Sequence, residues 1–329
     1  MPVQSGRREH GGSGLGRALG GAGLVASLLA GAAAANVAAG RKAEKRQAPR
    51  GTFVESQGIR LRYIVAGRGP PLVLVHGNGV SADDFVTSGL FDALAADHRV
   101  FAFDRPGFGY SPRPSGRDWS APAQASLLAE AMAQLGLQDS VIIGHSWGAI
   151  VAANLALELA GLVRGLVLMS GYYAPTLRLD SVLAAGSAAP VLGPALRYTL
   201  SPIVGRLMAP ALFRMLFSPA PVPERFRADY SVGMAVRPWQ LAASAADGAG
   251  MVHEAQRLQA RASEITLPVL LIAGREDKIA GFEQQTVRFS QQLPNAAVVG
   301  VEGAGHMVHY VATDEVASAI RRWESGSLP

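Results

Sequence analysis

Six short, almost wholly apolar runs recur along the chain and limit what it can fold into. They are PLVLVHG, RVFAFD, DSVIIG, GLVLMS, LPVLLIAG and AAVVGVEG, the first beginning at Pro71 and the last at Ala296. A strand with one face in water alternates apolar and polar residues. A run that is apolar throughout belongs to a strand buried on both faces. Longer, helix-compatible stretches lie between the runs, among them Ser81–Asp97, Pro122–Leu135 and Trp147–Ala160. Strand and helix in alternation predict a mostly parallel sheet covered by helices on both sides. Ahead of the first run, TFVESQGIRLRYIVAG reads as two alternating strands joined at Gln57 and Gly58.

The alternation stops after Ser170 and resumes at Leu267. Between about 171 and 262 no buried strand is evident. The segment is rich in Leu, Ala, Met, Pro and Arg, with helical spacing in LRYTLSPIVGRLMAPALFRMLF and interruptions at Pro190, Pro194, Pro202 and Pro210. The expected organisation is a discontinuous core, 51–170 and 263–329, with a helical cap at 171–262 over one end. There is no internal repeat.

Residues 1–50 form a separate tail. It holds eight Lys/Arg against two Asp/Glu, while residues 51–329 hold 22 against 23. The basic character thus belongs to the tail, and the globular part lacks the clustered Lys/Arg of a nucleic-acid face. The chain has no cysteine, which excludes disulfides and thiolate metal sites. Ala18–Gly40 is 23 residues without a charge. As a helix it would be roughly 34 Å long, against a bilayer core of about 30 Å. An uncleaved membrane anchor is the leading expectation. Cleavage within GAAAANVAAG, giving a secreted protein, and a disordered Ala/Gly tail are the alternatives. Arg41, Lys42, Lys45, Arg46 and Arg50 follow the stretch, against Arg7, Arg8 and Arg17 before it. That imbalance favours the globular part on the cytoplasmic side.

One strand-to-helix passage carries chemistry. In VIIGHSWGAIVAA, Ser146 stands between Gly144 and Gly148, after an apolar strand and before an apolar helix. G-x-S-x-G in that context makes a tight turn that lifts a serine hydroxyl clear of the backbone. Such a hydroxyl needs a general base. Of seven histidines, His306 and His309 in EGAGHMVHY follow the last expected strand on a Gly-rich loop. His306 is the better placed, and His309 suits a supporting role. The base needs an orienting acid. Asp277, in LPVLLIAGREDKIA, is preferred over the adjacent Glu276, and Asp104 in FDRPGFGYS suits a structural role. The glycines of HGNG, after the first buried strand, allow a turn that aims backbone N–H groups inward. The N–H groups of Asn78 and Trp147 are the natural oxyanion donors.

HGNG, DRPGFGYS, GHSWG, GRED and GAGH occur in an order and at intervals that resemble the α/β-hydrolase superfamily, from about Gly51 to the C-terminus. The resemblance implies an eight-stranded, mostly parallel sheet flanked by helices, with an inserted helical cap after the sixth strand. It implies Ser146 as nucleophile, Asp277 as acid, His306 as base, and Asn78 and Trp147 as oxyanion donors, with no metal or organic cofactor. The elbow is also similar to that of epoxide hydrolases, which carry Asp where this chain has Ser146. A serine suits acyl transfer at a carbonyl, which speaks against epoxide hydrolysis and dehalogenation.

The leading expectation is therefore a serine hydrolase acting on an ester or related acyl bond. Hydrolysis of C–C, amide or lactone bonds, and perhydrolysis, remain open on the same residues, because the fold does not select among them. A non-catalytic, membrane-tethered binding or accessory protein is the alternative of a different class. Apolar residues of the expected cap, among them Leu192, Leu196, Tyr198, Leu207, Met208, Leu212, Phe213, Met215 and Phe217, favour a small apolar acyl substrate. No nucleic-acid partner is expected, and no sequence feature sets an oligomeric state.

Overall fold

A computed structural model describes residues 12–176 and 192–327 of the protein. Arg7, Arg8, Pro190 and part of the expected cap lie outside the described residues. The eight strands are β1 (Thr52–Ser56), β2 (Ile59–Ala66), β3 (Pro71–Val75), β4 (Arg99–Phe103), β5 (Ser140–His145), β6 (Val163–Met169), β7 (Val269–Gly274) and β8 (Ala296–Val301). They form one sheet in the order β1-β2-β4-β3-β5-β6-β7-β8. β1 and β2 are antiparallel to their neighbours, and from β4 to β8 every pairing is parallel. This is the eight-stranded α/β-hydrolase sheet expected from the sequence.

The buried strands are apolar throughout because each face packs against helices. Val73, Val75, Phe101, Phe103 and Ile142 point to one side, where Leu128 and Ile150 close the core. Leu72, Leu74, Val100, Ala102, Val141 and Ile143 point to the other, against Phe85, Leu90, Phe91, Val316 and Ile320. Successive side chains on a strand face opposite ways, so one run supplies both layers.

β3 sits between β4 and β5, so the chain leaves β3 in one direction along the sheet and returns past it to β5. Loops leaving the two strand ends diverge there, and open α/β sheets bind ligands in the crevice this creates. HGNG follows β3, and Ser146 follows β5.

Between β6 and β7 the described residues are mainly helical, with helices Leu192–Tyr198, Ser201–Phe217, Glu224–Asp229, Val232–Ala235 and Pro238–Ala260. The tail also forms a helix, α1 (Gly12–Arg46). Its C-terminal part lies on these helices. Asn36 Nδ2 donates to the carbonyls of Tyr198 and Thr199, both at 2.9 Å. A Cβ on Gly40 would come within 3.0 Å of the Trp239 ring, and Glu44 pairs with Arg237.

The stretch 18–40, expected as a spanning segment, lies within this helix. The helix forms, yet among the described residues no single helix is long and apolar enough to cross a membrane. The stretch lacks charge, and Ala and Gly dominate it. Its last turns are moreover occupied by the helices after β6.

Candidate active site

Ser146 joins β5 to helix Trp147–Glu158 with φ 55° and ψ −119°. A non-glycine residue at positive φ is strained, and such strain persists only where the surroundings enforce it. Here its N–H donates to the Met169 carbonyl at 2.9 Å, and its carbonyl accepts from the N–H of Ala149 at 3.0 Å. Both flanking glycines are required by close approach. A Cβ on Gly144 would lie 2.4 Å from the Gly148 carbonyl oxygen, and one on Gly148 would lie 2.1 Å from that of Val75. The helix beyond is almost wholly buried, so the turn rests on a rigid support.

His306 follows β8, and Asp277 follows β7. The two parallel strands end side by side, so residues 29 positions apart meet. His306 Nδ1 lies 2.8 Å from Asp277 Oδ2, and His306 Nε2 lies 3.0 Å from Ser146 Oγ. The other carboxylate oxygen, Asp277 Oδ1, accepts N–H groups from Ile279 at 2.7 Å and Ala280 at 2.9 Å. A carboxylate so held accepts from Nδ1–H. The proton therefore sits on Nδ1, and Nε2 keeps a lone pair for the Ser146 hydroxyl.

The structure thus brings Ser146, His306 and Asp277 into contact. Glu276, the adjacent acid, takes no part. Asp104 is occupied elsewhere: it accepts N–H groups from Ala82 and Tyr110, both at 2.8 Å, and pairs with Arg62 at 3.1 Å. His309 reaches Asp84 rather than Ser146.

The β3 loop passes close beside the serine, since a Cβ on Gly77 would lie 3.0 Å from Ser146 Cβ. Among the described residues, the N–H groups of Asn78 and Trp147 have no hydrogen-bond acceptor. Two uncommitted donors therefore flank Ser146. The loop is also tied to the helices above it. Asn78 Nδ2 donates to the Ser244 carbonyl, and the Tyr230 hydroxyl donates to that of Gly79, both at 3.0 Å.

Sequence reasoning missed a third tie. Arg105 is buried and donates to the carbonyls of His76 at 2.8 Å and Gly77 at 3.0 Å. It also donates to Gln124 at 3.0 Å and to Asp247 at 2.6 Å. Asp247, in helix Pro238–Ala260, takes a second guanidinium from Arg113 at 2.7 Å. The one signal available was a lone acid in the Ala-rich stretch LAASAADGAG. His76 completes the cluster. Its Nε2 accepts the Arg105 N–H at 2.9 Å, so its Nδ1 carries the proton and donates to the Gly77 carbonyl at 2.7 Å. Burial, then the nearby Arg105 charge, holds its pKa well below the ordinary imidazole value.

His145 is likewise held neutral by burial and then by the neighbouring histidines. Its Nε2 donates to the His306 carbonyl at 3.1 Å. Ligand atoms of Asp84, His145 and His309 lie within 4.8 Å of one another, the spacing of a metal site. However, Asp84 already accepts from His309 and from the Tyr310 hydroxyl, each at 2.9 Å. Both Asp84 oxygens are thereby taken, while His145 Nδ1 and His309 Nδ1 are buried without a hydrogen-bond partner among the described residues.

Residues 70–313 match the family model described as alpha/beta hydrolase fold. Haloalkane dehalogenase 2 of Mycobacterium tuberculosis is 31% identical over 282 residues, covering 82% of this chain and 92% of that protein. A pimeloyl-[acyl-carrier protein] methyl ester esterase of Aeromonas hydrophila is 28% identical over 243 residues, covering 73% and 89%. Among solved structures, a bacterial membrane phospholipase A superposes with a TM-score of 0.65 at 21% identity, covering 95% of this chain and 97% of that one. The chain belongs to the α/β-hydrolase family, and it is a hydrolase.

Proposed function

We propose that the protein is a serine hydrolase that cleaves an ester or related acyl bond through an acyl-enzyme intermediate. The observation that carries this reading is the line of contacts Asp277–His306–Ser146, at 2.8 Å and 3.0 Å. In this scheme Ser146 Oγ attacks the substrate carbonyl carbon while its proton passes to His306 Nε2. Asp277 fixes the imidazole tautomer and stabilises the imidazolium. The carbonyl oxygen, now carrying negative charge, accepts from the N–H groups of Asn78 and Trp147, worth about 10²–10³ in rate for each such donor. His306 returns the proton to the leaving oxygen as the carbonyl re-forms. A water then repeats the sequence on the acyl-enzyme, with His306 as base, and releases the acid.

The nucleophile's chemistry separates this chain from the dehalogenase it is similar to. Displacing halide from saturated carbon leaves an alkyl group on the nucleophile. On a carboxylate that product is an ester, which water can open at its carbonyl. On Ser146 it would be an ether, with no carbonyl to attack. A hydroxyl at this position supports acyl transfer.

The proposed acyl group is small and apolar, and an apolar cluster packs beside the base. Met307, next to His306, packs in a cluster with Phe217, Val222, Phe226 and Tyr310. A fluorophosphonate probe, read by intact mass and peptide mapping, tests the proposal. One adduct on Ser146, absent in Ser146→Ala, is expected, together with turnover of p-nitrophenyl esters that varies with acyl length. A folded protein that neither labels nor turns over such esters would favour the non-catalytic alternative.

A further inference from the structure

The helix Ser201–Phe217 turns its apolar residues outward as well as inward. Ile203, Val204, Leu207, Met208, Leu212 and Met215 are all exposed, Leu207 by 75%. The preceding helix and turn add Leu192, Tyr198 and Leu200. Soluble monomers rarely leave so much contiguous apolar surface in water.

α1 continues this surface. Asn36 ties it to the carbonyls of Tyr198 and Thr199, at the break between the two helices. N-terminal to that point Leu24, Leu28 and Leu29 are exposed, and nothing lies within 4 Å of where a Cβ on Gly23 or Gly31 would stand. At 1.5 Å per residue, Leu24 stands about 18 Å along the helix from Asn36.

Charge decides what covers the surface. From Leu192 to Phe217 there is no acidic residue, and the charges are Arg197, Arg206 and Arg214. Arg206 and Arg214 donate to the backbone carbonyls of Pro202 and Pro210 within their own helix. Neither meets a carboxylate among the described residues. A second copy of the chain would set arginine against arginine. An anionic bilayer surface offers acyl chains to the leucines and phosphates to the guanidiniums at one depth. The two helices would together be long and apolar enough to span, but they are bent by 68° at the break. That shape suits a pair lying in the interface.

We propose that the outer face of Ser201–Phe217, with the exposed leucines of α1, seats on an anionic lipid surface without crossing it. The chain has no cysteine, so a single fluorophore can be placed without background. Leu207→Cys in the full-length chain is labelled with nitrobenzoxadiazole and mixed with vesicles of phosphatidylcholine and phosphatidylglycerol. A blue shift and protection from iodide are expected at position 207. A label on Ala133→Cys, exposed on the core helix Ala121–Gln134, keeps its aqueous emission. Arg206→Gln with Arg214→Gln should weaken co-sedimentation with these vesicles on the order of tenfold or more, and leave binding to pure phosphatidylcholine unchanged. Circular dichroism confirms that the variants fold. Three results would overturn the proposal. One is no sedimentation with vesicles. Another is sedimentation with the 207 label still aqueous, which leaves α1 alone as the attachment. The third is a shift that follows protein concentration without lipid, which marks a second copy. None of these readings depends on turnover.

Discussion

His309 Nε2 stands 2.9 Å from Asp84 Oδ2, forming a second buried imidazole–carboxylate pair behind the one made by His306 and Asp277. The two pairs are joined through His145, whose ring centre is 5.1 Å from that of His306 and 4.4 Å from that of His309. Only the first pair touches Ser146. His306→Ala should therefore lower kcat by several powers of ten, as expected when one member of a cooperating set is removed. His309→Ala should leave kcat within about tenfold and mainly cost stability, about 1–3 kcal/mol for an unsatisfied buried acceptor. Kinetics and urea unfolding of both variants decide it, and the reverse ranking in folded proteins would make His309 the base.

Ser146→Ala should keep the fold, because the strained turn is enforced by backbone contacts and the flanking glycines, none of which involves the hydroxyl. Turnover should fall to about 10⁻⁴ of wild type or lower. A purified variant retaining a tenth of the activity would remove Ser146 from the role proposed for it.

Asp277→Asn tests the tautomer. The backbone N–H groups of Ile279 and Ala280 require an acceptor at Oδ1, so the new amide must turn its NH₂ toward His306 Nδ1. That nitrogen must then accept, the proton moves to Nε2, and the lone pair facing Ser146 is lost. A fall in kcat of about 10⁴ with an unchanged Tm is expected. A loss of tenfold or less would mean that Asp277 serves only as a loop brace.

The parts of the fold legible in the sequence were those governed by local pattern. β3 to β7 announce themselves because strands covered on both faces contain few polar residues, and β8, half-buried at the sheet edge, shows by its apolar run alone. Ser146, Asp277 and His306 could be chosen because each directly follows a strand, and parallel strands end along one edge. The tie between Arg105 and Asp247 was not legible. It joins residues 142 positions apart, and nothing in either neighbourhood marks the other. The tail was legible as a helix-length uncharged stretch, but the packing of its last turns was not. Near Asn36 and Gly40 the small residues let helices approach closely, with Gly40 against the Trp239 ring.

That long-range tie yields its own prediction. Asp247→Asn leaves the Arg105 and Arg113 guanidiniums facing a neutral amide. Breaking a buried pair of this kind costs about 3 kcal/mol or more. Arg105 also holds the carbonyls of His76 and Gly77, so the donors at Asn78 should lose their aim. A lower kcat with KM little changed is expected, alongside a lower unfolding midpoint. Destabilisation with kcat intact would show that the loop keeps its place without this tie.

The last prediction concerns pH and lies far from the serine. His98 Nδ1 donates to Asp97 at 2.9 Å, and its Nε2 pairs with Glu324 Oε2 at 2.9 Å. The hydrogen bond to Glu324 is the largest cause raising its pKa above the ordinary imidazole value, with Asp97 adding to it against partial burial. A group whose pKa is higher folded than unfolded stabilises the fold fully below its unfolded value, about 6.5. The contribution disappears as pH climbs through the raised folded value. His76 and His145 act in the opposite sense. Burial keeps them neutral, so the unfolded chain takes up their protons first as pH falls below about 6.5, and stability is lost. The stability of the whole protein mixes both effects, so the difference between wild type and His98→Gln is the quantity to follow. Urea unfolding across pH should show wild type ahead by up to about 1 kcal/mol at the acidic end, with the gap closing toward alkaline pH. A gap that widens with pH would mean that His98 is neutral in the fold and that its contacts with Glu324 and Asp97 do not stabilise its charge.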